Sequence, residues 1–274
     1  MHETLYDTPS LVIAVILFAA MTATVEVSYR VGFRRRRAPD DAYTAHVNAV
    51  QAALLGILAL VLGFTFSLSL QRHDSRSESV VEEANAIGTA WLRSQLLTTT
   101  VRAEVQEVFK TYVDARLAEG ELTAVDHDQK ATYNVIAQHA QARLWALAVQ
   151  AVRDDPDEVR TGMFVEALNE AIDAMDRRDA SFRRHVPEVA LLLLFGTFLM
   201  ASASIGYAAG IAAYRPSVVT HVMILLIVML VFLIIDVDRP RRGLVMVNMQ
   251  SMRDVQARVH GVPLPPIPAP APRR

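Results

Sequence analysis

The sequence predicts an all-α, polytopic membrane protein with four transmembrane helices and a helical soluble domain between the second and third. Three observations carry that prediction. The chain is 274 residues long and 52% hydrophobic, with a mean hydropathy of +0.25, above the balance of an ordinary water-soluble domain. Its apolar residues are clustered in four blocks, whose only acid or base is Glu26. Between the second and third blocks, residues 71–186 form a long polar stretch with a single proline, Pro156. That leaves few turn signals for strands.

The first block, Leu11–Tyr29, is apolar at 15 of 19 positions, and the second, Ala49–Leu70, at 16 of 22. The third, Val189–Ala213, is apolar at 19 of 25, and the fourth, Val218–Ile235, at 16 of 18. Each is about the ~20 residues that carry a helix across a hydrocarbon core. The segment before the first block has no Lys or Arg and contains Glu3 and Asp7. That charge is wrong for a signal peptide, so the block is read as a retained helix. These blocks divide the chain into 1–70 (tail and helices one and two), 71–186 (soluble domain), 187–237 (helices three and four) and 238–274 (tail). From residue 261 the tail is proline-rich and is predicted to be disordered or extended.

The soluble domain reads as helical from its caps. The second membrane helix continues without a breaker to about Leu97. Thr98, Thr99 and Thr100 offer caps for a helix ending at Gly120, with Val101, Val105, Val108, Tyr112 and Val113 at helical spacing. Thr123 to Asp126 fits a capping box for a helix to about Arg153. Asp155 before Pro156 predicts another start, with Asp157 and Glu158 at the positive helix end. That helix should run on to Pro187. Tyr214-Arg215-Pro216-Ser217 predicts a tight turn that makes helices three and four an antiparallel hairpin.

Charge gives a topology but no nucleic-acid partner, since the net charge is only −2. With four spans, both tails and the soluble domain share one side. Lys and Arg near the membrane ends nearly balance across the two sides. The first helix leans the reading, with no base before it and Arg30, Arg34, Arg35, Arg36 and Arg37 after it. That lean would put the short loops on the cytoplasmic side and the soluble domain on the other, with the reverse orientation as the alternative, in a multi-pass protein of the cell (inner) membrane.

Several classes of chemistry are excluded. With no cysteine, disulfides, thiolate metal sites and Cys nucleophiles are ruled out. No phosphate-binding loop, dinucleotide fingerprint, nucleophile elbow or paired-histidine metal motif is found. The sequence predicts no enzyme, no metal and no cofactor.

Three places remain informative. On the second helix Ala49, Ala52, Gly56, Ala59, Gly63 and Ser67 recur every three or four residues, so they share one face. Small residues let helices pack closely in lipid. The sharper reading is a helix around a symmetric axis, with Phe64, Phe66, Ser67 and Leu70 as candidate pore-lining residues. Gly206 and Gly210 form a second packing pair, on the third helix. Just past the second helix, Glu82, Asn85, Thr89 and Arg93 share a face in an otherwise apolar segment that includes Glu83. This predicts a polar stripe held in an interface, with a solvated face as the plain alternative. Asp236 and Asp238 meet Arg239, Arg241 and Arg242 at the end of the fourth helix, where they would anchor the tail or form an ion-attracting vestibule. Glu26, one turn from Arg30, reads as an i, i+4 pair.

The strings Leu62-Gly-Phe-Thr-Phe-Ser67, Val81-Glu-Glu-Ala-Asn-Ala-Ile-Gly-Thr-Ala90 and Asp236-Val-Asp-Arg-Pro-Arg-Arg-Gly243 carry a resemblance. At these residues the chain resembles a bacterial family of four-helix membrane proteins described as bestrophin-like, distantly similar to bestrophin channels. The resemblance implies a homopentamer that passes inorganic ions, anions in preference to cations, along a pore lined by the second helix. The polar residues Glu82, Glu83, Asn85, Asp236, Asp238, Arg239 and Arg241 would form its characteristic network. The sequence departs from animal bestrophins in its shorter insert and tail, in lacking an acidic run in the tail, and in its opposite topology lean. The competing reading is a non-conducting membrane scaffold or sensor whose soluble helical domain binds a partner.

Overall fold

A computed structural model describes residues 8–35, 41–122, 126–184, 188–239 and 245–261. Among these residues all regular structure is helical. The helices are α1 (Ser10–Arg34), α2 (Asp41–Ser94), α3 (Thr99–Glu121), α4 (His127–Asp154), α5 (Met163–Arg183), α6 (Glu188–Ile211), α7 (Val218–Asp238) and α8 (Gln250–Val259), with a π-helical turn at Glu158–Gly162. Four of them, α1, α2, α6 and α7, are long and apolar enough to cross a membrane. The predicted Thr123 cap, Arg36, Arg37, Arg241, Arg242 and the proline-rich stretch after Gly261 lie outside the described residues.

The chain forms two compact units, one from residues 1–73 and 184–246, the other from 74–183 and 247–274. In the first, the core gathers Leu17, Met21 and Val25 of α1, Leu58 and Leu62 of α2, Leu194 and Phe198 of α6, and Ile224 and Val231 of α7. The tight turn expected between α6 and α7 is present, closed by the Tyr214 amide donating to the Ala209 carbonyl at 3.1 Å and by Ala213 at φ +59°. Helix α1 packs closely along α6. Glycines on α6 face α1 and let the two backbones touch.

The second unit is built around Ile87 of α2, Val105 and Phe109 of α3, Leu144 and Leu147 of α4, Phe164 and Leu168 of α5, and Met252 of α8. Phe109 stands edge-on to both Trp91 and Phe164, with centroids 6.2 and 6.4 Å away, the geometry that ring quadrupoles favour. Helix α8 was not foreseen in the tail. It buries Met252, Val255 and Val259 on one side, an i, i+3, i+7 stripe that closes the core over α3.

The caps differ from expectation in two places. Asp157, and not Asp155, opens the π-helical turn, accepting from the Val159 and Arg160 amides at 2.9 and 2.8 Å. Asp155 instead binds Arg160 through both oxygens at 3.0 Å. Pro156 has no N–H and favours an extended residue before it, which moves the helix start two residues on. Helix α5 ends at Arg183, short of Pro187. Thr98 occupies the N-cap of α3 without a hydroxyl bond to the helix.

Candidate functional site

The site is best built from α2, a helix of 54 residues. Its apolar part packs into the first unit through Leu58, Leu62, Thr65 and Ser69, spaced 4, 3 and 4 residues apart and so on one side. The Ser69 hydroxyl donates to the Ile234 carbonyl at 2.8 Å, pinning that side to α7. The small residues Ala52, Gly56, Ala59, Gly63 and Ser67 fall on the opposite side and are all exposed. A Cβ added at Gly56 or Gly63 would meet nothing within 4 Å. Phe64 (62% exposed) and Leu70 (43%) flank this open face, whereas Phe66 leans into the bundle core.

Gly206 and Gly210 are placed differently. A Cβ on Gly206 would overlap the Val25 carbonyl, and one on Gly210 would run into Tyr29, Gly32 and Phe33. Gly32 completes the contact, because its own Cβ would lie 3.3 Å from Gly210 Cα. Sequence reasoning missed Gly32, a lone glycine near the end of α1 without a spacing partner in its own helix. The Glu26–Arg30 pair forms at 2.8 Å on an exposed helix face.

At the end of α7, Asp236, Asp238 and Arg239 are all buried within the first unit. Asp236 accepts from the Val245 amide at 3.3 Å, and Arg239 donates to the Ser10 hydroxyl at 3.0 Å. Arg72 of α2 stands 3.6 Å from Asp238. The motif string therefore ties the start of α1, the middle of α2, the end of α7 and the start of the tail into one polar cluster.

The second motif string folds in the other unit and divides at one residue. Glu82, Asn85 and Thr89 are exposed, so within the chain this stripe is a solvated face. Arg93 donates to the Met163 carbonyl at 2.9 Å. Glu83, pointing the other way, is fully buried. Arg116 of α3 donates to it at 2.6 Å and also to Asp179 at 3.0 Å. Arg178 of α5 donates to its second oxygen and stands 3.6 Å from Glu119. Burial pushes the Glu83 carboxyl upward, but the two guanidiniums outweigh it and hold the group below its ordinary value. Burial would lower Arg116, but Glu83 reverses that and holds it above its ordinary value. Tyr112, buried beside them, is pushed up by desolvation and by the Glu83 charge.

The arrangement joins three helices by charge and leaves one long helix face uncovered. Among the described residues no group of three or more His, Asp or Glu is placed to hold a metal ion. A family model described as "Bestrophin-like domain" matches residues 12–252, a span that includes all three motif strings. No curated protein and no solved structure matches the chain.

Proposed function

The chain belongs to the bestrophin-like family, and from that premise we propose that it is an oligomeric ion channel whose pore is lined by α2. The family supports an ion-channel role in general, and the finer reading rests on one observation, the exposed small-residue face of α2 with open space at Gly56 and Gly63. An apolar helix face of this length is covered either by lipid or by another helix. Small residues favour the helix, because they let backbones approach where lipid chains gain nothing extra. Repeating the chain around an axis, as a homopentamer, brings the α2 helices together through faces that differ on the two sides of each subunit, the arrangement that closes a ring.

In such a ring Phe64 and Leu70 supply the apolar constriction, and Ser67 supplies a hydroxyl between them. A narrow apolar ring gates by losing and regaining its water, so conduction needs no charge at that point. Phe66 packs into its own subunit and positions the helix. Arg72, Asp238 and Arg239 hold α2 against the end of α7 at the mouth. The chain is a multi-pass protein of the cell inner membrane and passes anions in preference to cations.

Native mass spectrometry of detergent-purified protein, followed by current recording in planar bilayers under a KCl gradient, tests the reading. Five-fold assembly and a reversal potential near that of chloride are expected. A ring that never conducts overturns the channel. A monomer or dimer removes the central pore and favours the competing reading, a scaffold or sensor acting through its helical unit.

A further inference from the structure

We infer that the end of the apolar bundle formed by α1, α6 and the α6–α7 turn binds anionic phospholipid, with Arg34, Arg35 and Arg215 on the headgroup phosphate. The register of α1 on α6 brings these three residues to one end. Gly206 of α6 faces Val25, and Gly210, one turn on, faces Tyr29 and Phe33. The two helices therefore run in the same direction and finish together, α1 at Arg34 and α6 at Ile211. The chain after α6 folds back at once, the Ala213 amide donating to the Gly210 carbonyl at 3.2 Å, which keeps Arg215 at that end. The start of α2 is there too, because the Tyr43 and Tyr207 hydroxyls share a hydrogen bond of 3.0 Å. The charge of Arg35 reaches the same Tyr43 hydroxyl.

This end is cationic at its rim and apolar just inside it. Arg34, Arg35 and Arg215 are all exposed. Glu26 bonds Arg30 at 2.8 Å and lies eight residues, about 12 Å along the helix, before Arg34. Over residues 26–46 and 206–221 the sequence sets six arginines against three acids, Glu26, Asp40 and Asp41. One step inward Val31 and Phe33 of α1 are exposed, and at the start of α7 Val218 and Val219 are 78% and 75% exposed.

A phospholipid matches both halves of that surface. Its acyl chains cover the valines and Phe33, from which a soluble anion gains nothing. Its phosphate meets guanidiniums, whose paired N–H groups fit phosphate oxygens in two parallel bonds. Tyr29, Tyr43, Tyr207 and Tyr214 lie at the same level, where amphipathic rings settle among headgroups. A basic cluster at the end of a membrane helix attracts anionic lipid by about fivefold in binding for each arginine near the surface.

The full-length protein, purified from micelles with equal phosphatidylglycerol and phosphatidylcholine, is extracted and its retained lipid quantified. Phosphatidylglycerol should exceed phosphatidylcholine by about tenfold, and Arg34→Gln with Arg35→Gln and Arg215→Gln should cut that ratio by about fivefold or more. Arg143→Gln with Arg153→Gln and Arg253→Gln removes the same charge from exposed positions of the other unit and should leave the ratio unchanged. In the natural chain, raising NaCl from about 0.1 to 1 M should erase most of the preference, as the Debye length falls from about 10 to 3 Å. Equal retention of the two lipids, or equal losses in the two triple variants, overturns the proposal. A preference that salt leaves intact overturns it without any variant. Displacement of phosphatidylglycerol by inorganic phosphate, put in place of chloride at the same ionic strength, also overturns it, since the site then reads a free anion.

Discussion

Arg116 and Glu83 form an ion pair at 2.6 Å in which neither side chain reaches water, 1% and 0% exposed. With Arg178 on the other oxygen, Glu83 bridges two buried guanidiniums. A buried pair adds little over a well-packed apolar substitute, but removing one partner leaves its charge stranded. Glu83→Ala should therefore cost about 3–5 kcal/mol. Urea unfolding at neutral pH, followed by circular dichroism, measures this. A loss under about 1 kcal/mol would mean that the cluster relaxes around the gap.

The same pair sets a pH dependence. The guanidiniums hold the Glu83 carboxyl below its ordinary value of 4.5. Its contribution to stability is thus complete above that value and is lost as pH falls through the depressed folded-state value. Melting temperature of the natural chain should fall in acid more steeply than that of Glu83→Gln. Parallel curves for the two proteins would show that other carboxylates drive the acid response.

On the other unit, the close approach of α1 and α6 makes a sharp contrast between two glycines of one helix. A Cβ at Gly206 would overlap the Val25 carbonyl, whereas one at Gly196 would meet nothing within 4 Å. Gly206→Leu should destabilise by roughly 1–3 kcal/mol or more, since backbone must move to admit it. Gly196→Leu should be nearly neutral in the single chain. Thermal unfolding in detergent compares them, and equal effects would contradict the packing described here.

Much of this was legible in the sequence, and the reasons divide by length scale. The four apolar helices and the continuous α2 followed from uninterrupted composition, and the small-residue face from its spacing. Glu82 and Glu83 could not be told apart, because the segment is apolar on both sides and the partners that bury Glu83 lie 33 and 95 residues away. Helix α8 was hidden by its shortness, at ten residues. An isolated helix of that length is marginal in water, and here packing on α3 completes it. The cap at Asp157 was missed because two acids flank Pro156, and only the backbone decides between them.

The α2 face supplies the prediction that separates assembly from folding. A Cβ added at Gly56 or Gly63 meets nothing within 4 Å, so with leucine at both, unfolding of a dispersed single chain should shift by less than about 0.5 kcal/mol, as for open surface sites. In a ring the same side chains enter the gap between neighbouring helices, where small residues are needed for close approach. Gly56→Leu with Gly63→Leu should then shift the assembly toward monomer in native mass spectra and abolish bilayer current, whereas Phe64→Ala should keep the assembly and widen the constriction, raising conductance. Unaltered assembly and current in the double variant would place this face against lipid and move the pore elsewhere.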